Sequence, residues 1–198
     1  MFTSFNSMAE IMFYQSIIVA VFFITLAYGG TLWIHKKARL PLRWNFNRTN
    51  LVEGAALGVK VFLWVLLIGA LINLIFPIAP HLIENIFRGE LLSLYHILLI
   101  AISVVVLAPL AEEILFRGFL LPILKIRWGT QWALHGTSFL FASLHLDPFR
   151  FLPLYVAAYL IGQEALKRNS LIVAVIAHAV WNLSSFTLLL LYMRGGAF

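Results

Sequence analysis

Apolar residues run along this chain in long blocks separated by short polar stretches. Blocks of that length predict membrane-spanning helices rather than the strands or helices of a soluble core. The first covers roughly Ile11–Ile34 and ends in His35, Lys36, Lys37 and Arg39, with Arg43 and Arg48 in the polar stretch that follows. The second covers roughly Leu51–Phe76 and contains Glu53 and Lys60. Seven residues apart, these two share a helix face two turns apart, so a pair that locks this helix is expected, with a role in a substrate channel as the alternative. Pro77–Glu90 reads as a loop of mixed charge. The third block, about Leu91–Leu124, is longer than one span needs. Pro109 is expected to kink it, and Gly118 and Pro122 to weaken its end. A tilted, kinked helix fits best, with a span plus an interfacial helix as the alternative. Lys125 and Arg127 follow, then a fourth span over about Trp128–His145. Asp147, Pro148 and Arg150 make a turn. A short fifth span covers Leu152 to about Leu166, Lys167–Ser170 form a loop, and a sixth covers Leu171–Tyr192. The fold class is therefore all-α: a polytopic transmembrane helical bundle of about six spans, with residues 1–198 as a single integral membrane domain.

Composition agrees with this reading. Hydrophobic residues make up 62% of the 198 residues and charged ones 11%, too few polar groups to cover a soluble domain. The net charge of +6 would raise nucleic acid as a partner in a soluble protein. Here the basic residues lie between apolar blocks, where they orient the chain and meet anionic lipid headgroups, so nucleic-acid binding is not expected. Lys36, Lys37, Arg39, Arg43, Arg48, Lys125, Arg127, Lys167 and Arg168 gather on one side, against Arg88, Arg150 and Arg194 on the other. That bias places the first group in the cytoplasm and both termini outside. Cysteine is absent, which excludes disulfides, thiolate metal sites and a cysteine nucleophile. Met1–Glu10 has no Lys or Arg and the apolar run after it is too long for a signal peptide, so the first helix is read as retained.

Ionisable groups inside apolar spans cost at least about 2.5 kcal/mol each and need a reason to be there. Three clusters stand out. In Ala111-Glu112-Glu113-Ile114-Leu115-Phe116-Arg117-Gly118, Glu113 and Arg117 are four apart and can pair. Glu112 then points about 100° away and is left for other work, such as a general base. An ion cluster at a helix end is the plainer alternative. In Phe141-Ala142-Ser143-Leu144-His145, the histidine ends a span, where the helix dipole alone favours it. In His178-Ala179-Val180-Trp181-Asn182, His178 and Asn182 share one face. They are either glue between helices or two donors aimed at one point, as an oxyanion hole requires. At ~1.5 Å per residue, Glu112, His145 and His178 reach depths at which they can meet. Other ionisable residues look plain. His96 falls on the opposite helix face from Glu112, His135 lies about 80° off the face of His145, and His35 and His81 fall in loops. Glu164 is expected to pair with Lys167 or Arg168.

Glu-Glu-x-x-x-Arg at Glu112–Arg117, Phe-x-x-x-His at Phe141–His145 and His-x-x-x-Asn at His178–Asn182, in that order, resemble the CPBP family. This is the CAAX protease and bacteriocin-processing group, also called Abi, of intramembrane glutamic endopeptidases. Phe116-Arg117-Gly118 and the Lys-Arg-Asn-Ser-Leu stretch before the last helix are also similar to its pattern. The resemblance spans residues 109–182 and implies a bundle with a polar cavity within the membrane. It implies that Glu112 and His145 bind and activate a water, with Glu112 as general base. His178 and Asn182 would hold the oxyanion, while Glu113 and Arg117 brace the site alongside Phe141. The reaction implied is hydrolysis of a peptide bond in a membrane-embedded or lipidated substrate, without metal or cofactor. The chain is shorter than the larger members, with few helices before the first motif. Bacteriocin leader processing or trimming of a membrane anchor is therefore expected over a CAAX substrate, in a bacterial inner membrane.

Three rival readings remain. Glu112, His145 and His178 could form a His₂Glu zinc site with an open water position, although no His-Glu-x-x-His helix is present. The same cavity could bind a membrane partner without catalysis, as an immunity or regulatory protein does. Intramembrane Glu and His could also relay protons in a transporter, but no inverted repeat is found.

Overall fold

The structure, a computed structural model, describes residues 8–35, 44–76 and 93–194. Lys36, Lys37, Arg39, Arg43, His81, Arg88 and the predicted Pro77–Glu90 loop lie outside the described residues. Helix α1 is Met8–His35, so His35 ends a helix rather than sitting in a loop, and α2 is Arg48–Ile75. One long helical run then passes through α3 (Leu94–Ala101), a π-helical turn π1 (Ile102–Leu107), α4 (Ala108–Glu113), a second π-helical turn π2 (Ile114–Leu120) and α5 (Leu121–Ser143). Helices α6 (Phe151–Arg168) and α7 (Leu171–Arg194) complete the bundle, and no strand occurs among the described residues.

Four helical runs among the described residues are long and apolar enough to cross a membrane: Met8–Gly30, Arg48–Ile75, Leu94–Ser143 and Leu171–Met193. The sequence predicts about six spans, and two features of the described residues bear on that number. The predicted third and fourth spans are parts of the single Leu94–Ser143 run, which bends at Gly129 instead of passing through a loop. Gly129 has φ 76° and ψ 171°, a conformation open to glycine and costly for any residue with a Cβ. Beyond that bend Gly136 packs back against Trp128 and Leu124, where a Cβ would stand 3.5 Å and 3.7 Å from them. Helix α6 falls outside the group because its last turns carry Glu164, Lys167 and Arg168.

Proline explains the two π-helical turns. Each ends two residues before a proline, Pro109 or Pro122. A proline ring collides with the carbonyl four residues back and offers it no N–H. Widening the turn by one residue relieves the collision, and the N–H ahead of each proline then bonds five residues back. Ala108 donates to the Ser103 carbonyl and Leu121 to the Phe116 carbonyl. The predicted kink at Pro109 thus takes the form of a π insertion inside continuous helix.

Small residues set the closest helix contacts, as expected where lipid removes most of the hydrophobic drive between helices. Gly54 and Gly58, one turn apart on α2, press onto the backbone of α7. A Cβ on Gly58 would stand 2.5 Å from the Ala177 carbonyl oxygen, and one on Gly54 would stand 3.0 Å from that of Val173. Ala157, Ile161 and Ala165 of α6 and Ala174, Ala177 and Trp181 of α7 continue this core. On α1, Gly30 admits the Phe119 ring.

Polar contacts lock the helix ends. Buried Asn50 donates to the Asn45 carbonyl at 2.9 Å and to Ser170 Oγ at 3.2 Å, tying the start of α2 to the α6–α7 turn. Glu53 pairs with Arg168 at 3.1 Å, not with Lys60 as the sequence predicts. The two-turn spacing holds them too far apart along the axis, and Arg168 arrives from α6 at the Glu53 level. Glu164 binds both expected partners, Arg168 at 2.6 Å and Lys167 at 3.5 Å. In the turn before α6, Asp147 Oδ1 accepts from the N–H groups of Phe149 and Arg150.

Candidate active site

Glu113 and Arg117 face the interior of the bundle and pair at 3.0 Å, as their i,i+4 spacing predicts. Glu113 is fully buried and Arg117 keeps 2% exposure. Arg117 also donates through Nη2 to the Ala158 carbonyl of α6 at 2.7 Å, and its guanidinium lies 5.3 Å from the Phe141 ring centre. A Cβ on Gly162 of α6 would stand 3.1 Å from Leu134 Cδ2 and 3.8 Å, ordinary contact distance, from Arg117 Nε. One cation thereby joins the first motif to two further helices.

Glu113 has a second task that its spacing does not reveal. Its Oε1 also accepts from Nδ1 of His178 at 2.8 Å. His178 is 3% exposed and stacks on Trp181, ring centres 5.0 Å apart. A carboxylate accepting at Nδ1 and an indole against the ring face fix the imidazole in position and rotation. The other nitrogen, Nε2, then points toward Glu112, whose Oε2 lies 3.9 Å away. Glu112 retains 20% side-chain exposure, against none for its neighbour Glu113. The two adjacent glutamates thus divide: one sealed and doubly bonded, the other partly open and outside hydrogen-bond range of His178.

Phe141 holds the second motif against the other two. Its ring lies 5.2 Å from Phe116, 5.8 Å from His178 and 4.9 Å from His145. His145 bonds through Nδ1 to the Phe141 carbonyl at 2.8 Å. A carbonyl only accepts, so Nδ1 carries a proton, and in the neutral form of such a ring Nε2 is a bare lone pair. The spacing of four between Phe141 and His145 lets the backbone of one orient the ring of the other.

Asn182, one turn beyond His178, donates through Nδ2 to the Val104 carbonyl of π1 at 2.7 Å. Glu112 and His178 thus lie where α4 meets α7, Asn182 reaches π1, and His145, just past the end of α5, is joined to His178 through the Phe141 ring. Sequence reasoning gave no role to Trp181, the Ala158 carbonyl or the Val104 carbonyl. Trp181 lies within the third motif, three residues after His178, where a helix places it beside the ring. The two carbonyls carry no sequence signal.

His96 and His135 have local partners. His96 closes a capping box with Ser93 at the start of α3. His135 bonds Tyr155 and packs on Tyr159. It lines an open groove with Trp128, Gln131, Trp132, Phe139 and Tyr155 that shares no lining residue with the Glu112–His178 cluster. Among the described residues no three His, Asp or Glu side chains are grouped so as to hold a metal ion.

Fold and site together define an integral membrane protein, a helical bundle with carboxylates and histidines gathered inside it. The model of the Type II CAAX prenyl endopeptidase Rce1-like family matches residues 94–184, the segment that holds all three motifs. Over that segment the chain matches the CAAX protease family, a family of proteases, as the motifs indicated. No curated protein and no solved structure matches the chain.

Proposed function

We propose that this protein is an intramembrane endopeptidase of glutamic type, cleaving a peptide bond in a membrane-anchored substrate. The observation that carries the proposal is the division of labour between Glu112 and Glu113. A fully buried Glu113 binds Arg117 and orients His178, which leaves the partly open Glu112 as the carboxylate able to meet a water and a substrate.

The chemistry follows from the donors and acceptors present. A water between Glu112 and His145 gives one hydrogen to the carboxylate and the other to the bare Nε2 of His145. Its oxygen lone pair is then directed at the scissile carbonyl carbon. As the carbon–oxygen bond forms, Glu112 takes the proton and the carbonyl oxygen becomes an oxyanion. Asn182 offers its second Nδ2–H to that oxyanion. His178 adds Nε2–H in its doubly protonated form, with Glu113 as the counter-ion. Collapse of the tetrahedral intermediate breaks the carbon–nitrogen bond, and Glu112 returns its proton to the leaving amine. Positioned acid–base groups of this kind contribute about 10²–10⁴-fold, and one oxyanion donor about 10²–10³-fold.

The test is reconstitution in liposomes with a library of membrane-anchored peptides, prenylated and unprenylated, with products read by mass spectrometry. Products from the wild type and none from Glu112→Gln are expected, and the anchors of the cleaved peptides give the substrate class. Equal cleavage by both proteins would remove Glu112 from the reaction. Stable capture of an uncleaved peptide by both would favour the immunity or regulatory reading.

A further inference from the structure

Val104 is left without a backbone donor by the way π1 meets Pro109. In an α-helix its carbonyl would accept from the N–H of Ala108, but that N–H bonds the Ser103 carbonyl. With π spacing it would accept from residue 109, which is a proline and has no N–H. A carbonyl orphaned inside a membrane bundle must find another donor. The donor it meets is Asn182 Nδ2, reaching across from α7 at 2.7 Å.

We propose that Pro109 is a positioning residue for Asn182. By removing the one N–H that would close the π turn, Pro109 keeps the Val104 carbonyl open as a clamp for the Asn182 amide. The consequence is directional. The two Nδ2–H bonds lie about 120° apart in the plane of the amide, so anchoring one of them fixes where the other points. Without the clamp the amide turns about its side-chain bonds and loses its aim. The link from Pro109 to catalysis rests on the reading of Asn182 as an oxyanion donor; the clamp itself does not.

Replacing Pro109 by alanine supplies the missing N–H to the π1 turn, where it competes with Asn182 for the Val104 carbonyl. The change favours helix, so the variant is expected to fold. Full-length protein labelled with ¹⁵N-asparagine in micelles reports the clamp directly. The Asn182 side-chain signals are assigned by their loss in Asn182→Ala. In the wild type one Nδ2 proton exchanges with water at least about tenfold more slowly than in Pro109→Ala, the protection expected of one hydrogen bond. Pro122→Ala, the same change at the other π turn, leaves the Asn182 signals as they are in the wild type. An unchanged Asn182 exchange rate in Pro109→Ala overturns the clamp.

The catalytic arm uses a membrane-anchored peptide that the wild type cleaves. Pro109→Ala lowers kcat about tenfold, the kinetic equivalent of one hydrogen bond, with KM nearly unchanged. In the Asn182→Ala background the same substitution has no further effect. A loss of kcat by the same factor in both backgrounds overturns the positioning role. A kcat that Asn182→Ala leaves untouched, with the exchange effect present, defeats the oxyanion role of Asn182 and leaves the clamp standing.

Discussion

Glu113→Gln removes the one negative charge that Arg117 and His178 share. Both contacts are short, 3.0 Å and 2.8 Å, and the carboxylate is fully buried. The amide keeps the shape of the side chain and one acceptor, so no cavity opens. The loss is therefore electrostatic: a guanidinium with 2% exposure is left without its counter-ion. Breaking a buried pair by removing one partner costs about 3–5 kcal/mol. For a chain of this length that corresponds to a fall in Tm of roughly 6–20 °C. Thermal unfolding in detergent, followed by tryptophan fluorescence, measures it. Adding Arg117→Met removes the orphaned cation as well, and the double variant recovers most of the lost stability, because an apolar replacement of a buried pair is often neutral. Activity does not return with it, since the negative charge that serves as counter-ion to the doubly protonated His178 is still missing. A Tm within about 1 °C of the wild type for Glu113→Gln, below the cost of even a single net hydrogen bond, would refute the claim that this pair braces the bundle.

Further outcomes follow from the packing. Gly58→Leu places its side chain against the Ala177 carbonyl and the Val180 side chain, and is expected to lower stability by about 1–3 kcal/mol or more, read in the same unfolding assay. Gly129→Ala forces a Cβ into a conformation with φ 76° and costs about 1–3 kcal/mol, with a fall in Tm as the readout. Arg168→Ala removes the Glu53 and Glu164 contacts at the bundle edge and changes stability by less than about 1 kcal/mol, because such exposed pairs are weak. Phe141→Ala separates the rings of His145 and His178 and lowers stability by about 3–5 kcal/mol; cleavage falls further than stability predicts if Phe141 also sets the geometry of the two rings.

Periodicity and spacing made some of this site readable in advance. The Glu113–Arg117 pair follows from a spacing of four, which a single helix turns into contact. The same rule places His178 and Asn182 on one face and His145 over the Phe141 carbonyl. The bond between Glu113 and His178 was not readable, because 65 residues separate them and only the packing of α4 on α7 brings them together. The predicted Glu53–Lys60 lock failed for a related reason: a sequence shows which residues share a helix, not which helix arrives beside it. The boundary between the third and fourth blocks was blurred by Gly129, where the helical run bends. Hydropathy registers a block of apolar residues, but whether helix continues through Pro109 and Pro122 depends on π turns that carry no hydropathic mark. The faces assigned to His96 and Glu112 assumed α geometry throughout, and π1 lies between them.

The central claim is that a carboxylate, held open beside a fixed histidine, activates the water. Cleavage of a membrane-anchored peptide by reconstituted wild type and Glu112→Gln, each with and without a strong zinc chelator, tests it most directly. Wild-type cleavage that the chelator leaves unchanged, together with loss of at least about 10²-fold in Glu112→Gln, is the predicted result. Cleavage that survives in Glu112→Gln, or that the chelator abolishes in the wild type, would contradict it.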